Sequence, residues 1–270
     1  MLEIRKAKKT FHAGTPNEVR ALRDVDLEIE EGSFVIVIGT NGSGKSTLQS
    51  AIAGTFLLDA GQITIDGRNI TRWAEHSRAS LIGRVFQNPF MGTAPGMSIA
   101  ENFALAARRG RPRGLGPALG RQLREQMRET VRNLNMGLED RLDNPIGTLS
   151  GGQRQALTLL MATWLKPRLL LLDEHTAALD PKSADQVIRL SQQIIQRDKL
   201  TTLMVTHSMH QAANLGDRLI MMHRGQIVQD FRGSDKERLR PEDLLEAFEE
   251  LRRVELLDDT AAEMLAGSYV

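Results

Sequence analysis

The chain has 270 residues, enough for one large domain or two unequal ones, and its 41% hydrophobic and 26% charged content is ordinary for a soluble globular protein. Its 35 Lys and Arg nearly cancel its 34 Asp and Glu, so no global field points to nucleic acid as a partner. The absence of cysteine excludes disulfides, thiolate metal sites and cysteine nucleophiles.

The opening Met1-Leu2-Glu3-Ile4-Arg5-Lys6 lacks the apolar core of a signal peptide. No apolar run approaches the ~18–20 residues that span a bilayer, so a cytoplasmic protein is expected. Apolar alternation or continuity predicts strands over Leu2–Lys6, Leu22–Ile29 and Phe34–Ile38, with a turn at Glu31-Gly32. The run Gly39-Thr40-Asn41-Gly42-Ser43-Gly44-Lys45-Ser46-Thr47 follows, with a helical pattern after it. That strand–loop–helix setting makes a phosphate-binding loop. Its glycines let backbone N–H groups close around an anion, and the helix start adds the positive end of a dipole. Lys45 is then the neutraliser of the β- and γ-phosphates, and the Ser46 hydroxyl a ligand for Mg²⁺.

Further strands are predicted over Gly61–Gly67 and Ile82–Phe86, the latter ending at Gln87-Asn88-Pro89. From Ser98 to about Leu142 the pattern is helical, broken by a loop over Gly110–Gly120 that holds Pro112, Gly114, Gly116 and Pro117. Leu149-Ser150-Gly151-Gly152-Gln153 opens a helix over Arg154–Leu165; Ser150 is either a plain N-cap or, with the glycines, a donor set for an anion. Leu169–Leu172 and Leu203–Val205 read as strands buried on both faces, with a helix between them that starts at Asp180-Pro181. Arg218–Met222 and Gln226–Val228 flank His223-Arg224-Gly225 as a hairpin. Pro241 opens a last helix with Leu244, Leu245, Phe248 and Leu251 on one face.

The strand Leu169–Leu172 delivers Asp173 and Glu174 at its carboxyl end, where ligands sit in parallel α/β sheets. In that position Asp173 holds Mg²⁺, and Glu174 takes a proton from, or orients, the water that attacks the γ-phosphate. An acidic pair merely ending a strand is the bland alternative.

Together these motifs, in this order along nearly the whole chain, resemble the ATP-binding-cassette (ABC) ATPases. Phe11 is similar to the aromatic that stacks on adenine, or is simple core. Gly39–Thr47 matches the phosphate loop, and Gln87 the glutamine that links the nucleotide site and its metal to a membrane partner. Ser150-Gly151-Gly152-Gln153 matches the family signature, Asp173 and Glu174 the metal and catalytic carboxylates. Ala177-Ala178-Leu179-Asp180 resembles the loop that crosses between subunits, and His207 the switch histidine at the γ-phosphate. One departure stands out: most members have Pro after the catalytic Glu, whereas this chain has His175, an ordinary loop residue or else a titratable neighbour near the water.

The resemblance implies a single cassette over residues 1–270 of α/β class: a P-loop NTPase core with a mixed or parallel sheet (1–87 and 151–233), carrying an antiparallel β subdomain at its N-terminal end. A helical subdomain over 88–150 is inserted, and a short helical extension follows over 234–270. It also implies an ATPase using ATP and Mg²⁺. Two copies pack head to tail around two ATP, with Lys45 of one facing Ser150 and Gly152 of the other. The pair drives separate permease subunits from the inner face of the cell membrane, with an extracytoplasmic solute-binding protein in the same system. Import of a small polar solute such as an amino acid is the leading expectation. An exporter, or an assembly ATPase of the iron–sulfur type, is the alternative, although the latter tend to carry a different run than Gln153-Arg154-Gln155. Nucleic-acid cassettes need long coiled-coil inserts or two cassettes in one chain. Between Arg108 and Arg132 eight arginines face only Glu125 and Glu129. They form either a solvated face with a loop or a patch for lipid headgroups or acidic permease loops.

Overall fold

Two sheets organise the computed structural model, which describes residues 1–110, 119–250 and 253. Strands β1 (Leu2–Phe11), β2 (Val19–Ile29), β4 (Ala60–Ile65) and β5 (Arg68–Asn69) make an antiparallel sheet in the order β2-β1-β4-β5. The second sheet contains β3 (Phe34–Gly39), β6 (Ile82–Val85), β7 (Leu169–Asp173), β8 (Thr201–Val205), β9 (Arg218–His223) and β10 (Gln226–Arg232). Its order is β10-β9-β3-β8-β7-β6, parallel throughout except for β10, which pairs antiparallel to β9.

The continuous apolar runs are explained by burial on both faces of this sheet. Val35 and Val37 of β3 join β1, β2 and the helix after the phosphate loop in one core; Ile36 and Ile38 point into another, against the inserted helices. Leu169 and Leu171 divide from Leu170 and Leu172 in the same way. Arg218 ties the two sheets together. Its guanidinium grips Asp230 of β10 at 2.8 and 2.7 Å and donates to the Glu28 carbonyl of β2. Burial by itself would raise the Asp230 pKa, but the hydrogen bonds from Arg218 and Arg232 outweigh it and hold the carboxyl down to about 2.

The helices are α1 (Lys45–Ala53), α2 (Glu75–Arg78), α3 (Ile99–Ala107), α4 (Arg121–Arg132), α5 (Gly151–Thr163), α6 (Pro181–Asp198), α7 (Met209–Asn214) and α8 (Gly233–Glu237), and residues 241–250 are also helical. Ser98 and Glu101 form a reciprocal capping box at the start of α3. Asp180 caps α6 through the Ser183 amide, with Pro181 in the first turn, as the sequence predicts. In α4, Met127 and Val131 face the core, Arg124 pairs with Asp143, and Arg128 reaches Glu125 and the Glu139 carbonyl. Arg109 donates to the Ala162 carbonyl. Arg124 and Arg128 thus have local partners and Arg109 is half-buried; Arg111 and Arg113, the prolines and inner glycines of the loop, and Leu251 lie outside the described residues.

Several boundaries differ from expectation: β2 starts at Val19 rather than Leu22, and β10 runs to Arg232 rather than Val228. β1 runs on to Phe11 because register shifts after Ile4 and Ala7, with Lys6 at φ 45°, break the alternation that marks a strand. The signature helix begins at Gly151, three residues before the apolar pattern does.

Candidate nucleotide-binding and hydrolysis site

The phosphate loop sits at the carboxyl end of β3, in the middle of the parallel sheet. Gly39 has no room for a side chain: a Cβ there would lie 2.3 Å from the Met222 carbonyl oxygen and 2.5 Å from Ser43 Oγ. Gly44, at φ 100°, passes as close to the Ala21 carbonyl. The turn of the β9–β10 hairpin braces the loop from below. Arg224 and Gly225 both take positive φ, as a two-residue type I′ turn requires, and the Gly225 amide donates to the Ser43 carbonyl at 3.0 Å. No side chain caps α1, whose first turn therefore keeps its amides for an anion.

Lys45 is only 5% exposed, and its Nζ donates to the carbonyls of Gly39 and Thr40, each at 2.9 Å. Burial lowers its pKa, while Glu174 and Asp173 nearby work against that fall. The three charges therefore share one site. Asp173, at the end of β7, has its pKa raised chiefly by burial, with Arg84 at 3.8 Å as a partial counter-charge. Glu174 is held at both carboxylate oxygens: His207 Nε2 lies 2.6 Å from Oε1, and Gln87 Nε2 donates to Oε2 at 3.3 Å. Its backbone takes φ 43°, a left-handed conformation that costs a residue with a side chain roughly 1–2 kcal/mol. Asp173, Glu174, Gln87, His207 and Lys45, predicted from separate stretches of sequence, thus converge.

The signature lies at the start of α5. Ser150 and Gln153 cap one another through a reciprocal box, so Ser150 is an N-cap whose hydroxyl keeps its proton to donate elsewhere. A Cβ on Gly152 would meet Ser183 at 2.8 Å, and one on Gly151 would meet Leu179 at 3.2 Å. Signature and crossing loop are therefore packed face to face within one protomer. Phe11 stands edge-on to Phe56 with ring centroids 5.3 Å apart, half-buried at the end of β1. Its strand partner Val19 is two residues from Ala21, which lies under Gly44.

Several contributors gave no sequence signal. Gln49, fully buried on α1, donates to the carbonyls of Leu172 near the end of β7 and Leu203 in the middle of β8, tying the two strands together beneath the site. Gln155 donates to the Phe86 carbonyl at 3.0 Å. Arg154 donates to the carbonyls of Ile146, Gly147 and Leu149, and its guanidinium stacks 3.7 Å from the centroid of Phe90. The start of α5 thereby grips the chain on both sides of Gln87. His175 is a correction. It is no ordinary loop residue but a core residue, 1% exposed, with Nε2 2.9 Å from Ser191 Oγ on α6; burial pushes its pKa down to about 4, so the ring is neutral. The helix over 241–250 reaches the site as well: Leu245 and Phe248 line a cleft of about 540 Å³ with Gly39, Thr40, Asn41 and His207.

Comparison with known proteins agrees with this geometry. The family described as "ABC transporter" matches residues 22–177. A tyrosine transport ATP-binding protein of Clostridioides difficile (strain R20291) is 43% identical over 251 residues, 92% of this chain and 99% of that protein. The lipoprotein-releasing system ATP-binding protein LolD 1 of Caulobacter vibrioides is 35% identical over 82% of this chain and 92% of its own length. Among solved structures, the dimeric post-hydrolysis state of the ATP-binding cassette MJ0796 bound to ADP and Pi superposes with a TM-score of 0.73 at 27% identity, covering 86% of this chain and 98% of that one. The chain belongs to the ABC transporter family, as an ATP-binding subunit that hydrolyses ATP. No helix among the described residues is long and apolar enough to cross a membrane, and subunits of this kind work with membrane permeases.

Proposed function

We propose that this chain powers a bacterial importer of a small polar solute such as an amino acid, as a head-to-tail pair with ATP held between Lys45 of one copy and the signature of the other. What carries the amino-acid transport reading is the 43% identity with a tyrosine transport ATP-binding protein along almost the full length of both chains. The resemblance to LolD proteins keeps a lipoprotein-release role as the second reading, and an exporter as a third.

In the chemistry proposed, the loop amides of Gly39, Asn41, Gly42, Ser43 and Gly44 and the α1 amides at Ser46 and Thr47 wrap the phosphates, and Lys45 neutralises them. Phe11 stacks on the base. The Ser46 hydroxyl, the Asp173 carboxylate and the Gln87 amide oxygen are hard oxygen donors that would hold Mg²⁺. That cation would draw charge from the β- and γ-phosphate oxygens. Glu174 accepts the proton of the attacking water, while His207 and Gln87 hold its two oxygens in place. Ser150, Gly151, Gly152 and Gln153 of the second copy close over the nucleotide, and Asp180 lies in the loop between copies.

A separate permease is the proposed membrane partner, on the cytoplasmic side, with a solute-binding protein outside. A groove of about 490 Å³ between α3, β6 and α5, with Arg84, Phe86, Leu105 and Arg109 along it, lies beside Gln87 and suits a short amphipathic segment of such a permease. The test is to capture tagged Glu174→Gln protein from detergent-solubilised membranes with Mg-ATP. Co-purification of a multi-span permease, with tyrosine or another amino acid stimulating wild-type turnover in the reconstituted complex, is the expected result. Capture of soluble proteins alone would overturn the transporter reading.

A further inference from the structure

The residue after Glu174 has its own place in the core. Ser191 Oγ donates to the Val187 carbonyl at 2.8 Å, so toward His175 it can only accept. The proton of the imidazole therefore sits on Nε2, which points at Ser191 from 2.9 Å, while Nδ1 has no hydrogen-bond partner among the described residues. Ser191 lies in the middle of α6, and Asp180 at the start of the same helix is fixed through Ser183. The stretch from 175 to 180 is thus pinned to one helix at both ends. On its other side, the Glu174 amide donates to the Val205 carbonyl at 3.0 Å, next to the segment that carries His207. A second link runs Thr206–Gln211–Thr176, with hydrogen bonds of 2.7 and 3.3 Å.

Glu174 needs such anchoring, because its left-handed backbone is not a conformation a free loop would keep. A proline in the next position would push Glu174 toward extended backbone instead. Here a side chain holds the turn from a distance. We propose that His175 is a positioning residue for Glu174: its buried hydrogen bond to Ser191 fastens the turn that carries the carboxylate to α6. The inference rests on Glu174 being the base of the reaction. His175 does not touch the reacting atoms; it sets where Glu174 meets the water and leaves the phosphate loop as it is.

The experiment compares purified full-length wild type with Glu174→Gln, His175→Ala, Ser191→Ala, the His175→Ala/Ser191→Ala double variant and His175→Gln. It measures kcat, KM for Mg-ATP and Tm for each. Glu174→Gln is expected to lose turnover by about 10³-fold. His175→Ala is expected to lose about 10- to 100-fold in kcat, the scale of a displaced catalytic group, with KM within about threefold. The double variant should be no slower than His175→Ala, since both changes break one bond. Gln, whose Nε2 can donate to Ser191, should restore most of the rate. A His175→Ala kcat within about twofold of wild type, beside an inactive Glu174→Gln, would overturn the positioning role. So would a rise in KM that accounts for the whole loss, or a His175→Gln enzyme as slow as His175→Ala. Should His175→Ala fail to fold, Ser191→Ala and His175→Gln decide the matter alone. Full turnover in Glu174→Gln would instead remove the base itself, and the inference would fall with it.

Discussion

His207 Nε2 and Glu174 Oε1 are 2.6 Å apart, although the two residues come from the ends of neighbouring strands, β8 and β7. Parallel strands end on the same edge of a sheet, and both carboxyl ends open toward the phosphate loop. The pair thereby fixes the orientation of Glu174. His207→Ala is expected to lower kcat by about 10²-fold, with ATP affinity changed by less than about threefold. Steady-state turnover combined with equilibrium nucleotide binding checks this, and a loss confined to binding would contradict it.

Phe90 and Arg154 connect the segment after Gln87 to the signature helix. Arg154 also satisfies three carbonyls of the turn before Ser150, which a lysine's single ammonium cannot do in the same plane. Arg154→Lys is expected to cost about 2 kcal/mol in urea unfolding. A double-mutant cycle with Phe90→Ala should yield a coupling of about 1 kcal/mol. Additive effects would mean that the stacked pair is incidental.

The convergence of Lys45, Asp173, Glu174, Gln87 and His207 was legible in the sequence because each lies in a short local motif. The phosphate loop follows a run of five apolar residues, Asp173 and Glu174 follow another, and both runs are buried strands. The hairpin and the Asp180 cap also follow from local turn and helix-start chemistry. What escaped were contacts across sequence distance. Nothing near Gln49 signals that its amide ties two neighbouring strands, and nothing near Arg154 signals Phe90, 64 positions earlier. His175 looked like a loop residue because its neighbours are polar, yet the helix that buries it begins six residues later. β1 was read short because its bulges break the period-two pattern that identifies a strand.

Asp230 sets an acid limit on stability. Its carboxyl is held at about 2 by Arg218 and Arg232, below its usual range near 3.8, so the folded state favours the charged form. That stability is fully present above about pH 4 and is lost as pH falls toward 2. Because the carboxylate is partly in solvent, the contribution is about 1–2 kcal/mol after screening. Asp230→Asn should lower stability by about that much near pH 7 and flatten the decline between pH 4 and 2, as read from Tm against pH. An unchanged acid limb in the variant would show that other carboxyls govern it.

The most direct test of the central claim is the mass of Glu174→Gln protein by size-exclusion chromatography with light scattering, with and without Mg-ATP. Without the base, hydrolysis is blocked while Lys45, Ser46 and the signature stay intact. The account predicts a monomer near 30.0 kDa without nucleotide and a mass of twice that with Mg-ATP, returning to the monomer when Lys45 is also changed to Ala. A single monomeric species with saturating Mg-ATP would contradict it.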